Sequence, residues 1–130
     1  MADALRVVLV DDEDLVRSGL RLLLSNAPDI EVVAEASNGR DAVATVLDSQ
    51  PDVVLMDIRM PVMDGIAAVE KILSVQTVPI IMLTAFDTDS FILRALRAGA
   101  AGFLLKSTPP ESLMAAVRAA AAGQPLLSPQ

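Results

Sequence analysis

The sequence predicts an α/β domain, with five parallel strands covered on both faces by helices. Three observations predict it. Short β-branched apolar runs alternate with amphipathic stretches along the whole chain. The runs are apolar nearly throughout, as strands buried on both faces are. The length, 130 residues, suits one domain with one core. Crossovers between such strands are right-handed. An order of 2-1-3-4-5 would bring the first, third and fourth strand ends together.

The elements follow in order. LRVVLV, residues 5–10, is a strand that stops at charge. Val16, Leu20, Leu23 and Ala27 then recur at helical spacing on one face. EVVAEA, residues 31–36, is a second and partly alternating strand. Asn38 and Gly39 turn the chain into a short helix carrying Val43, Val46 and Leu47. PDVVLMD, residues 51–57, is the third strand. Asp64 caps a helix that starts at Gly65 and is marked by Ile66, Val69, Ile72 and Leu73. VPIIMLTA, residues 78–85, holds the fourth strand. A helix with Ile92, Ala95 and Leu96 ends near Gly99, and AGFLLK, residues 101–106, is the fifth strand. The last helix is expected to start at a Thr108 cap. Pro109 and Pro110 fall in its first turn, and Glu111 falls where a capping box places it. Its inner face is Leu113, Ala116, Val117 and Ala120, and Gly123 ends it. Residues 1–123 therefore read as one domain, and 124–130, rich in proline and serine, as the start of a linker.

Composition narrows the function. Aromatic residues are 2% of the chain, so the core is aliphatic. The absence of cysteine excludes disulfides and thiolate metal sites. The absence of histidine excludes imidazole bases, imidazole metal ligands and a phosphohistidine on this chain. A formal charge of −7 argues against direct nucleic-acid binding by this segment. No apolar run is long enough to span a membrane, and the N-terminus lacks a signal-peptide pattern. The expectation is a cytoplasmic domain with no membrane partner. Neither a glycine-rich dinucleotide fingerprint nor a GxxxxGK[ST] loop is present.

In sheets of this kind the site lies beyond the carboxyl ends of the strands. Asp11 and Asp12 follow the first strand, with Glu13 and Asp14 behind them. The third ends at Asp57, the fourth at Thr84 and the fifth at Lys106. Taken singly, each has an ordinary explanation as a cap, a turn residue or a solvated charge. Together they form a kit for placing a phosphoryl group on a carboxylate. Three converging carboxylates repel one another by about 1 kcal/mol or more per pair. Lys106 offsets part of that charge. An all-oxygen, carboxylate-rich and water-accessible set suits Mg²⁺ for the rest.

VDDED, DVVLMDIRMPVMDG, IIMLTA and GFLLK, in this order and spacing, resemble the receiver domain of two-component response regulators over residues 4–123. The resemblance implies a flavodoxin-like receiver fold in which Asp57 is the phosphoacceptor. It implies Mg²⁺ held by Asp11, Asp12, Asp57 and the backbone carbonyl of Arg59. Thr84 and Lys106 would contact the phosphoryl oxygens, and Thr84 and Phe103 would form the switch. The donor would be a sensor histidine kinase. The segment from Leu104 to Pro129 is similar to the NarL/FixJ subfamily, in which a helix-turn-helix DNA-binding domain follows a linker. That implies a homodimer formed on phosphorylation, and DNA contacts only through a C-terminal domain missing here. The alternative is a stand-alone receiver that acts in a phosphorelay or by docking. A hydrolase fits poorly, because Arg59 stands where a second acid would be needed, so a signalling switch rather than an enzyme is expected.

Two departures matter. Lys106 is followed by Ser107 rather than proline, and Phe103 stands where many relatives carry tyrosine. The expected readout surface is the fourth helix, fifth strand and fifth helix, with Phe91, Leu93, Arg94, Arg97, Leu113 and Met114 as candidates. Arg59 and Phe86, two residues past Asp57 and Thr84, are the candidates for setting the phosphate lifetime by obstructing water.

Overall fold

A computed structural model describes residues 4–58, 60, 63–85 and 91–124. Its elements run β1 (Leu5–Val10), α1 (Asp14–Ser25), β2 (Ile30–Ala36), α2 (Gly39–Ser49) and β3 (Val53–Asp57). They continue with α3 (Gly65–Leu73), β4 (Ile80–Thr84), α4 (Phe91–Ala98), β5 (Gly102–Leu105) and α5 (Pro110–Ala121). The strands form one sheet in the order β2-β1-β3-β4-β5, with every pairing parallel. This is the predicted topology.

The burial of each strand follows from its place in the sheet. β3 and β4 are central and buried at every residue. The edge strand β2 is half-buried along its middle, which explains why its sequence alternates more than the others. Two aliphatic cores flank the sheet. Val8, Val10, Val54, Met56, Ile80 and Met82 face α2, α3 and α4. Val7, Leu9, Val53, Leu55, Ile81 and Leu83 face α1 and α5. The period-2 alternation of strand side chains divides each apolar run between these two cores.

The helix boundaries contain two corrections. Thr108 does not cap α5. The helix begins at Pro110, its N-cap is Pro109 at φ −58° and ψ 149°, and no side chain caps it. A residue before proline is pushed toward extended backbone, so Pro110 forces the boundary onto Pro109. Pro109 has no side-chain acceptor to offer. The other punctuation is as expected. Asn38 caps α2 through Asp41 N, Asp64 caps α3 through Ala67 N, and Gly99 and Gly123 adopt φ +117° and +76°. In α1 the fully buried residue is Leu24, outside the expected stripe, and Ala27 lies past the helix end.

Of the readout candidates, Leu113 sits on the inner face of the last helix, as its spacing predicts, and Met114 turns inward beside it. Leu113 is 3% exposed and belongs to the α1/α5 core, and Met114 packs against that core. Phe91 is half-buried, with Arg94 over its ring at 5.0 Å. Leu93, Arg94 and Arg97 remain exposed on α4. Arg59, Phe86 and the tail from residue 125 lie outside the described residues.

Candidate functional site

Four strand ends deliver the expected groups to one place. Asp57 is the last residue of β3 and is 6% exposed. Backbone bonds on either side fix where the chain leaves the sheet. Ile58 N donates to Leu83 O at 3.1 Å, and Gly65 N donates to Ile58 O at 2.8 Å. Gly65 is required by this close approach. A Cβ there would sit 2.5 Å from the Asp57 carbonyl oxygen and 3.0 Å from Ile58 Cα. Asp64, the neighbouring acid, is spent on capping, its Oδ1 accepting from Ala67 N at 2.9 Å.

Asp11 follows β1 and is fully buried. Its N–H donates to Ala36 O at 3.1 Å, and its Oδ1 accepts from Glu13 N at 2.8 Å. Asp12 beside it is exposed. Oxygen atoms of Asp11, Asp12 and Asp57 all lie within 4.8 Å of one another.

Lys106 answers them. Its backbone N–H donates to Thr84 O at 2.8 Å, which registers the residue against β4. Its Nζ donates to Asp57 Oδ2 at 3.1 Å. The same Nζ lies 3.1 Å from Asp11 Oδ2 and 3.5 Å from Glu13 Oε1. Burial by itself would lower the ammonium pKa. The hydrogen bond and charge of Asp57, then the Asp11 carboxylate, outweigh it, and the net shift is upward.

Thr84 is buried at the end of β4. Phe103 pairs with Met82 across β4 and β5 and packs into the α2–α4 side of the core. Strand alternation puts Thr84 on the same sheet face as Met82, so Thr84 and Phe103 share a face on adjacent strands.

The electrostatics are unbalanced. Among the described residues, the carboxylates of Asp11, Glu13 and Asp57 face one ammonium, and Asp12 lies beside Asp11 and Asp57. Asp11 Oδ2 is buried and, despite its nearness to Lys106, makes no well-directed hydrogen bond among the described residues. A buried acceptor left in this state is costly. A hard divalent cation on the open side of Asp12 would satisfy it, and an all-carboxylate donor set suits Mg²⁺.

The sequence alone missed two residues. Glu13 adds a third acid beside Lys106, its Oε1 at 3.5 Å from Nζ. Arg17 belongs to none of the strand-end groups. Its Nη1 donates to the Asp11 carbonyl oxygen at 2.6 Å, its Nε to Glu35 Oε1 at 2.9 Å and its Nη2 to Asp14 Oδ1 at 2.7 Å. An arginine three residues after Asp14 and beside the apolar Val16 was the available signal.

Comparison with known proteins agrees with this geometry. The response regulator receiver domain model matches residues 7–118. The transcriptional regulatory protein YxjL of Bacillus subtilis (strain 168) is 45% identical over 94% of this chain and 56% of its own length. LiaR, a transcriptional regulatory protein of the same organism, is 43% identical over 95% of this chain and 59% of its own. The chain thus spans somewhat over half the length of these curated relatives. Among solved structures, the signal receiver domain of the response regulator NarL from Mycobacterium tuberculosis superposes with a TM-score of 0.90. It is 35% identical, and the match covers 95% of this chain and 100% of that one. The parallel sheet, the acids at its carboxyl edge and these likenesses agree: the chain belongs to the response regulator receiver domain family, among regulators of the NarL/LuxR type.

Proposed function

We propose that this chain is the phosphoacceptor switch of a two-component transcriptional regulator, and that Asp57 takes the phosphoryl group. One observation carries the reading. The Asp57 carboxylate stands 3.1 Å from the Lys106 ammonium, with Asp11 and Asp12 oxygens within 4.8 Å.

Phosphoryl transfer depends mainly on positioning and on offsetting charge. The sensor kinase supplies a phosphohistidine, a group this chain cannot carry itself. An Asp57 Oδ–P bond forms as the donor P–N bond breaks. The electron pair stays with the imidazole, which picks up a proton. Asp11, Asp12, Asp57 and the Arg59 carbonyl would hold Mg²⁺, which when bound offsets charge on the phosphoryl oxygens. The Lys106 ammonium contacts one of those oxygens and holds the carboxylate in line for attack.

The product carries about two more negative charges near neutral pH than a neutral side chain would. The Thr84 hydroxyl turns to donate to a phosphoryl oxygen. Phe103, on the same face, fills the space it leaves, and the α4–β5–α5 surface changes with it. That surface drives pairing with a second copy, and a helix-turn-helix domain beyond residue 124 reads DNA in the cytoplasm. Such a switch shifts an existing equilibrium only by its differential interaction with the two states. Arg59 and Phe86 set how long the phosphate survives by obstructing water.

The test is incubation with Mg²⁺ and beryllofluoride, read by ¹⁹F NMR and light scattering. The wild type should give a bound fluoride signal and a shift toward dimer, and Asp57→Asn neither. An equal bound signal on Asp57→Asn would overturn the assignment.

A further inference from the structure

Arg17 lies outside the phosphoacceptor constellation, yet it makes the most connected polar contact near it. It is the fourth residue of α1, and its side chain is 16% exposed. Its three bonds reach three elements: Asp14 on α1, Glu35 on β2 and the Asp11 carbonyl at the end of β1. Glu35 is held from its other oxygen by Arg21. The Arg17 guanidinium is therefore fixed by carboxylates at Nε and Nη2, and its third nitrogen, Nη1, donates to one backbone oxygen.

That oxygen belongs to the peptide joining Asp11 to Asp12. A peptide unit is planar and rigid, so fixing its carbonyl fixes the plane from which both side chains depart. With Arg17 in place, Asp11 is held at three points. Its N–H is bound to Ala36 O, its carbonyl to Arg17 and its Oδ1 to Glu13 N. One carboxylate oxygen, Oδ2, is left to face Lys106. Mg²⁺ demands near-ideal octahedral geometry and tolerates loosely aimed ligands poorly.

We infer that Arg17 is a positioning residue for the cation site, acting through the Asp11–Asp12 peptide with Glu35 and Asp14 holding it in place. The role rests on the phosphoacceptor reading. It makes α1 and β2, which contribute no ligand, part of what sets Mg²⁺ affinity. An arginine that merely tied α1 to β2 would affect stability and leave the cation alone. Residues that orient metal ligands typically contribute tenfold or more to affinity.

The experiment titrates Mg²⁺ alone into wild type, Arg17→Ala and Arg118→Ala. It is followed by calorimetry and by ¹⁵N amide shifts, with thermal melts in EDTA alongside. Arg118 forms an equally well-formed pair with Asp29, joining α5 to the α1–β2 loop. Arg17→Ala should bind Mg²⁺ roughly tenfold more weakly, with Asp12 and Glu13 amide shifts altered before any metal is added. Arg118→Ala should bind as wild type does. If Arg17→Ala fails to fold, Arg17→Lys is measured in its place. Its donors diverge from a single nitrogen and cannot reproduce bonds that leave from Nε, Nη1 and Nη2, so it too should bind more weakly than wild type. Affinity within twofold of wild type in a folded Arg17 variant, whatever its melting temperature, overturns the positioning role alone. No saturable Mg²⁺ binding by the wild type overturns the phosphoacceptor reading, and this role with it.

Discussion

The two ends of the sheet handle charge in opposite ways. At the amino end, charged groups are solvated and either paired or hydrogen-bonded to backbone. Arg118 meets Asp29 through two hydrogen bonds of 2.7 and 2.9 Å, with about half of each side chain exposed. Arg6 donates to the carbonyls of Ser49 and Gln50, and its own N–H donates to Asp52. These contacts close loops. At the carboxyl end, three carboxylates share one ammonium among the described residues, and two of those acids are buried. Matched surface pairs contribute little to stability. Unmatched, partly buried ones are costly and persist where function requires them. The contrast singles out the carboxyl end as the candidate functional end on charge and burial alone.

Breaking the carboxyl end should have the largest effect. Lys106→Met removes the cation that Asp11 and Asp57 share and leaves the two acids buried against each other. A fully buried pair broken in this way costs about 3–5 kcal/mol. The Lys106 side chain is partly exposed, so about 2 kcal/mol is expected from urea melts without divalent ions. Titration of the same residue gives a pH signature. Its pKa in the folded protein is raised above the ordinary value near 10.5. Its contribution is therefore complete below that value and is lost as pH rises through the higher folded pKa. Wild type should lose stability there more steeply than Lys106→Met.

Asp12→Asn should have a smaller effect of opposite sign. It removes one of three mutually close carboxylates. In EDTA it should stabilise the protein by about 1 kcal/mol. Excess Mg²⁺ should then raise the wild-type melting temperature more than that of the variant, which reverses or closes the gap.

The smallest effect belongs to the amino end. Arg118→Ala should lower the melting temperature slightly at low salt and not at all at high salt. The hydrogen bond from Arg118, then a backbone hydrogen bond and the Arg118 charge, outweigh burial and hold the Asp29 carboxyl below its ordinary range. That contribution is present above the unfolded carboxylate pKa and is lost as pH falls through the lower folded value. The two ends thus lose their electrostatic support at opposite extremes of pH.

The strand ends were legible in the sequence because a strand end is a position that apolar runs mark directly. Asp57, Thr84 and Lys106 stop three such runs, and topology does the rest. Side chains that act from helices were harder to place. Leu22, Leu23 and Leu24 are identical in sequence. In the fold, Leu22 is 70% exposed, Leu23 half-buried and Leu24 fully buried. Only the packing angle of α1 decides among them. Arg17 was missed for the same reason. Its role depends on the register of β2 against β1, which brings Glu35 within reach, and neither neighbour in sequence reveals it. The Thr108 cap failed locally, because two successive prolines compete for the first turn and the second one sets the boundary.

The central claim is that the charge imbalance exists to receive a phosphoryl group on Asp57. Incubation with Mg²⁺ and acetyl phosphate, followed by intact mass measurement and peptide mapping, tests it most directly. One phosphoryl group should appear on the peptide containing Asp57. It should require Mg²⁺, fall sharply in Lys106→Met and vanish in Asp57→Asn. A wild-type protein that stays unmodified, or an adduct of equal yield on Asp57→Asn, would contradict it.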